Sequence, residues 1–320
     1  MMTPLPVRRA HELDAQAPEH RWLIEELWAT EAVGIVGGEP KCCKSFLALD
    51  VAVAVASGAP CLRRFRAART GRVLLFAAED ALHVVRARLA GIAHAAGVAF
   101  DTLDIQVITA PTVRLDLPAD QDRLRETVAL LRPTLLVLDP FVRLHRIDEN
   151  AAAEVAPVLA YLRELERQFH TAVLLVHHAR KGATHARAGQ ALRGSSELHA
   201  WGDSNLYLRR RGDTLCLAIE HRAAPSRDGL VVELRTQGEA LALHVVDDRP
   251  IADRVASPLV ALTLGDRVTR ALAEAPTPLT RRALRRACRI RASTLGPILA
   301  RLVADGRVTR TPEGYCCVSS

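Results

Sequence analysis

From residue 32 the chain alternates short apolar runs with longer stretches of helical period. Residues 32–36 (AVGIV) form a continuous apolar run ending in glycines, the pattern of a buried strand. Residues 44–56 follow as a helix, with Phe46, Leu47, Leu49, Val51 and Val55 among many apolar positions. The alternation then repeats. Strands are predicted at 73–77 (VLLFA), 105–108, 135–138 (LLVL) and 172–176 (AVLLV). Helices are predicted at 81–96, at 123–131 ahead of Pro133, and at 151–169, where Val155, Leu159, Leu162 and Phe169 share one face. Continuous apolar strands alternating with helices predict an α/β fold, a mostly parallel sheet covered on both faces. Beyond residue 200 the helices stop. Strands at 204–208, 215–219, 230–234 and 240–245, joined by short turns, extend the sheet or form an antiparallel flank. Residues 1–25 are polar and contain proline and read as an N-terminal arm. The α/β domain spans 26–246, residues 247–260 read as a linker, and 261–320 form a second domain.

That last domain has its own pattern. Helices are predicted at 264–273, from Thr280 and from Ser293, the third carrying Leu295, Ile298, Leu299, Leu302 and Val303. Asp305-Gly306 turns into Val308-Thr309-Arg310, and Glu313-Gly314 turns back into a strand from Tyr315. Three helices and a hairpin resemble a winged helix-turn-helix, whose third helix would enter the major groove. Arg289 and Arg291 would lead that helix toward DNA, while Arg307 and Arg310 would sit on the wing near phosphates.

Charge supports the division. Residues 255–320 hold 11 Arg against 4 Asp and Glu, whereas the preceding 254 residues hold 32 basic and 32 acidic groups. The whole formal excess of +7 lies in the last fifth of the chain, which points to a polyanionic partner, nucleic acid. Seven cysteines without a C-x-x-C pair suggest neither a zinc site nor a disulfide framework, and are expected as reduced thiols in a cytoplasmic protein. No apolar run reaches the length of about 18 residues that a membrane span needs.

The chemistry starts at Gly37-Gly38-Glu39-Pro40-Lys41-Cys42-Cys43-Lys44-Ser45. A loop that follows a strand, opens a helix and ends in Lys-Ser is the context of a phosphate-binding loop. Gly38 supplies the turn. The N–H groups from Glu39, Pro40, Lys41, Cys42 and Cys43 to Phe46 lie where a phosphate is cradled, apart from proline, which has none. Lys44 would reach the β- and γ-phosphates of ATP, and Ser45 would hold Mg²⁺. Cys43 stands where the pattern has glycine. If that position requires positive φ, its strain is on the order of 1–2 kcal/mol. Only three lysines occur, Lys41, Lys44 and Lys181, against 40 arginines, and two of them lie in this loop.

Strand ends carry the other candidates. Asp139 closes LLVL and would hold the Mg²⁺ hydration shell. Glu79-Asp80 closes VLLFA. Ligands gather at the carboxyl ends of parallel strands, so Glu79 is the candidate to orient and deprotonate water, with Asp80 left as a possible cap of the next helix. His177-His178 closes AVLLV, placed to sense a γ-phosphate. The basic stretch 180–194, with Arg180, Lys181, Arg187 and Arg193, could hold a nucleic-acid backbone.

GGEPKCCKS, AAED, LLVLDP, VHHARK and LRGSSELHAWGDSNLYLRR occur in the order seen in RecA-like ring ATPases. Over roughly residues 20–245 the chain resembles the RepA-type plasmid replicative helicases and their AAA-family relatives, and DnaB-type helicases more distantly. The resemblance implies a homo-oligomeric ring, usually a hexamer, with ATP bound between subunits and single-stranded DNA in the channel. It matches the catalytic acid to Glu79 and the sensor to His178 first and His177 next. It gives the loop after the histidines to DNA. The arginine that reaches a neighbouring site matches Arg222, with Arg193 in reserve. The lysine the family often places two residues earlier is Glu220 here. The function expected is that of an ATP-hydrolysing, helicase-like DNA motor; the alternative is a DNA-binding protein that uses nucleotide as a switch.

Overall fold

The computed structural model describes residues 6–12, 21–178, 196–211, 214–238, 240–247, 264–273, 275, 277–288 and 292–317. The chain divides into two compact units, Met1–Ile251 and Ala252–Ser320.

The large unit begins with an antiparallel pair, β1 (Trp22–Ile24) and β2 (Trp28–Ala29). Leu23, Ile24, Leu27 and Trp28 are buried, so the end of the expected N-terminal arm belongs to the core. The apolar cluster in WLIEELW accounts for this: left free, Leu23, Ile24, Leu27 and Trp28 would stand in water, and burying each is worth about 1.5–3 kcal/mol.

The core elements alternate as β3 (Val33–Gly38), α1 (Lys44–Ser57), β4 (Val73–Ala77), α2 (Leu82–Ala95), β5 (Ile105–Val107), α3 (Pro118–Leu131), β6 (Leu135–Asp139), α4 (Ala152–Phe169) and β7 (Ala172–His178). A short helix α5 (Ser196–Trp201) leads into β8 (Ser204–Arg211), β9 (Thr214–His221), β10 (Arg227–Gln237) and β11 (Ala240–Asp247). Helix α3 starts five residues before the predicted point because Pro118 fits the first turn, where its missing N–H is no loss.

Nine strands form one sheet in the order β11-β10-β9-β8-β3-β7-β6-β4-β5. It is parallel from β8 to β5, and β8 to β11 pair antiparallel. Side chains alternate across it. Val73, Leu75, Leu135, Val137, Leu174 and Val176 pack with α1 and α2 residues such as Leu47, Val51 and Leu89. Leu74, Phe76, Leu136, Leu138, Val173 and Leu175 pack with Leu124 and Val128 of α3 and Leu159 and Leu162 of α4. The register sets Gly38 beside His178 and Ala77 beside Asp139, so these strands finish at a common carboxyl edge.

In the small unit, α6 (Leu264–Ala273), α7 (Arg281–Cys288) and α8 (Ala292–Ala304) precede a hairpin of β12 (Val308–Thr311) and β13 (Gly314–Cys317). Val268, Leu272, Leu284, Leu295, Leu299, Leu302, Val308 and Tyr315 form its core. The Thr280 hydroxyl accepts the Ala283 amide at 3.2 Å and caps α7. No described helix is long and apolar enough to cross a membrane, and no disulfide occurs among the seven cysteines.

Candidate nucleotide site

The phosphate-type loop leaves the sheet between β7 and β8. A Cβ at Gly38 would stand 2.3 Å from the Leu208 carbonyl oxygen, so the close approach of β8 accepts glycine alone. Cys43 precedes α1 with φ 61° and ψ 27°, in the left-handed region, and its side chain makes no capping bond. A glycine takes that conformation without penalty, whereas a residue with a Cβ pays on the order of 1–2 kcal/mol. The first turn of α1 therefore offers its N–H groups with no side-chain cap, the arrangement that receives an anion at a helix start.

Lys44 is 5% exposed, and its Nζ donates to the Glu39 carbonyl at 2.8 Å. Burial pushes its ammonium below the usual lysine value, against the pull of Cys42, Asp139 and Glu79. The buried Asp139 accepts a hydrogen bond from the Ser45 hydroxyl. Burial chiefly raises its carboxyl to about 6; the bond from Ser45 opposes this, Asp80 and Glu79 add to it, and Lys44 opposes it again. The exposed Glu79 instead accepts from Arg143 Nε at 2.9 Å.

Lys41, Cys42, Cys43, Lys44, Ser45, Phe46, Glu79, Asp139 and His178 line one cavity of about 300 Å³, with Asp80, Arg88 and Val176 completing the wall. Glu39 contributes its carbonyl to Lys44, while Pro40 is exposed on the loop. A desolvated ammonium, a hydroxyl–carboxylate pair and a solvated carboxylate around one cavity can together receive phosphate oxygens, a divalent cation and a water.

Sequence reasoning missed two contributors. Arg88 of α2 pairs with Asp80, and its guanidinium lies 5.2 Å from the Phe46 ring centroid. Asp80 is thus in the cavity wall and does not cap α2, whose N-cap is Ala81. Arg143 reaches Glu79 from the turn after β6. Neither arginine lies in a motif; long side chains from a helix and a turn bring them in.

His177 is corrected as a cavity residue. Successive strand residues point to opposite faces, and Val176 and His178 bracket it, one lining the cavity with the other. His177 is 1% exposed on the far face, its ring centroid 5.9 Å from that of Phe141. The alternation of AVLLVHH carried this signal. Arg222 lies at the opposite sheet edge, where β3 begins. Its Nη2 donates to the Ala200 carbonyl at 2.5 Å, and Nη1 is 3.3 Å from Asp203. It is therefore remote from its own chain's loop. Arg180, Lys181, Arg187, Arg193, Arg289 and Arg291 lie outside the described residues. Arg307 and Arg310 are exposed beside and on β12.

The sheet order, the loop at the carboxyl edge and the carboxylate beside the serine match the fold of RecA-like P-loop ATPase domains. The ATPase domain of G40P superposes with a TM-score of 0.53 at 13% identity, covering 67% of this chain and 86% of that one. The crystal structure of the RadB recombinase gives a TM-score of 0.48 at 18% identity over 68% of this chain and 92% of that one. A family model described as an AAA domain matches residues 3–184, and the chain belongs to that family.

Proposed function

We propose that the chain binds ATP with Mg²⁺, hydrolyses it, and works as a replicative-helicase-like DNA motor on single-stranded DNA, assembled as a homo-oligomeric ring, a hexamer. The observation that carries the reading is the meeting of Lys44, the Ser45–Asp139 pair and Glu79 around one cavity. Lys44 and the N–H groups of the loop bind the phosphate oxygens. Ser45 and Asp139 fit a hydrated divalent cation, a hard ion that takes hydroxyl and carboxylate oxygens. When bound, that ion supplies charge neutralisation at the phosphate oxygens. Glu79 orients a water and takes its proton, which requires it to leave Arg143. His178 donates or accepts at the terminal phosphate, and Arg222 serves a neighbouring subunit.

The DNA assignment is supported by the small unit. Arg281, Arg282 and Arg285 are exposed along α7, and no described carboxylate pairs with them. The described outer positions of α8 are Pro297, Ala300, Arg301, Val303 and Ala304, and Arg301 stands 3.8 Å from Asp305. Phosphate contact through α7 and the hairpin suits this distribution better than base reading by α8.

The test is ATP hydrolysis by the native chain with and without single-stranded DNA, together with displacement of an annealed strand. DNA-stimulated turnover with displacement is expected. The ion pair between Arg143 and Glu79 favours a second reading, in which nucleotide acts as a switch. Tight duplex binding with negligible turnover would establish it in place of the motor.

A further inference from the structure

The chain between Pro140 and Asn150 carries titratable groups for which the phosphate edge has no use. A single 3-10 turn, Phe141–Arg143, follows β6, and Phe141 is fully buried. His145 packs on it with ring centroids 4.3 Å apart, and His177 meets its edge from β7. His145 is itself 6% exposed. The Glu149 carboxylate reaches both imidazoles: Oε1 is 3.4 Å from His145 Nε2, and Oε2 is 4.0 Å from His177 Nε2. Its loop is braced where α4 starts. The Asp148 amide donates to Glu154 Oε2 at 2.9 Å, and the Asn150 amide donates to Asp148 Oδ1 at 2.9 Å.

Three ionisable groups are thus gathered in a low-dielectric pocket, where each is costly unless the others compensate it. The compensation is visible at Glu149. Burial pushes its carboxyl up, yet the imidazole of His145 beside it and the fields of His177 and His178 hold it below the usual glutamate range. The arrangement also has a mechanical consequence. His177 and His178 are consecutive on β7 and point to opposite faces. Holding the His177 ring on the far face fixes the strand end that presents His178 to the cavity. The segment bearing the clasp also begins at Asp139 and carries Arg143, the partner of Glu79.

We propose that Glu149 is a positioning residue of the cavity: with His145 it clamps His177, and through that strand end it sets where His178 stands. The function of this clamp rests on the cavity being the ATP site, while its existence does not. Glu149 touches none of the reacting groups. Its charge is also felt directly at His178, and the hold on His177 adds a mechanical effect through the strand end.

The test uses the full chain, labelled at histidine Cε1, in native form and as Glu149→Gln, which keeps shape and removes charge. His178→Gln identifies the His178 signal. Glu149→Gln is expected to move the ring signals of His145, His177 and also His178, in the absence of nucleotide. A His178 signal that stays in place while the other two move overturns the proposal, whatever the ATPase result. Turnover supplies the second arm. Glu149→Gln should lower kcat by about 10- to 100-fold, the usual effect of residues that orient an active group, with KM for ATP changed little. In the His178→Gln background it should lower kcat no further, since residues acting as one unit are not additive. Equal losses in both backgrounds would reduce Glu149 to a packing role. Should Glu149→Gln fail to fold, Glu149→Asp, which withdraws the carboxylate by one methylene, is read in the same two arms. A His178 shift in Glu149→Gln together with no turnover by the native chain would retain the clamp and sink the ATPase reading.

Discussion

The two compact units distribute positive charge in opposite ways. In the large unit many arginines answer acids, as Arg63 with Asp50, Arg72 with Asp104, Arg114 with Asp116, Arg163 with Asp203 and Arg209 with Asp228. Its buried Lys44 ammonium has instead a single backbone carbonyl and the fields of carboxylates along a cavity wall. In the small unit Arg281, Arg282 and Arg285 stand along one exposed helix with no described acid against them. A cation held without a matching anion marks where an external anion is awaited. One deep cation in a cavity suits a compact phosphate group; a row on a convex helix suits an extended polyphosphate backbone.

Removing the deep cation should have the largest effect. Lys44→Ala is expected to cut ATP turnover by about two to three orders of magnitude, the scale for losing one preorganised charge at a reacting centre, while DNA binding through the small unit persists. Retention of native turnover would detach the cavity from nucleotide chemistry. Removing the row should do the reverse. Arg281→Ala, Arg282→Ala and Arg285→Ala combined should leave DNA-independent turnover intact. The slope of log affinity for DNA against log salt should shrink by about three, one for each lost phosphate contact. An unchanged slope would assign the excess charge of this unit to another partner.

A third prediction turns on pH. Asp139 has its carboxyl raised from 3.8 to about 6 in the folded chain. The folded state therefore holds that proton more tightly than the unfolded one, and the stability this confers is lost as pH rises through 6. Asp139→Asn removes the buried charge. In nucleotide-free protein at pH 8 it should be more stable than the native chain by up to about 3 kcal/mol, the difference fading as pH falls toward 4. Thermal melts at the two pH values measure it, and equal melting at pH 8 would refute the burial argument. The smallest effect is expected at Cys43. Cys43→Gly should relieve on the order of 1–2 kcal/mol of left-handed strain, raising the melting temperature slightly with turnover preserved or higher. A loss of turnover would give the thiol itself a role.

Period and strand-end chemistry made much of this legible in advance. The apolar runs VLLFA, LLVL and AVLLV could only be strands buried on both faces, and their terminal acids and histidines had to share an edge once the strands ran parallel. Three things were harder to see. The clustering of Trp22, Leu23, Ile24, Leu27 and Trp28 was readable, yet polar neighbours on both sides hid a strand pair of only three and two residues. The facing of His177 followed from simple alternation but was masked by reading the two histidines as one unit. Arg88, Arg143 and Glu149 carry no local signal, because long side chains from a helix and a turn reach their partners only after the chain has folded.

One bond in the loop has a consequence for loading. Lys44 Nζ commits one of its three N–H donors to the Glu39 carbonyl at 2.8 Å. A triphosphate can therefore be met by the remaining two while the loop's own carbonyl keeps the ammonium aimed. Part of the ordering cost of capture is met before the ligand arrives, and a change that moves that carbonyl would loosen capture without touching the ligand.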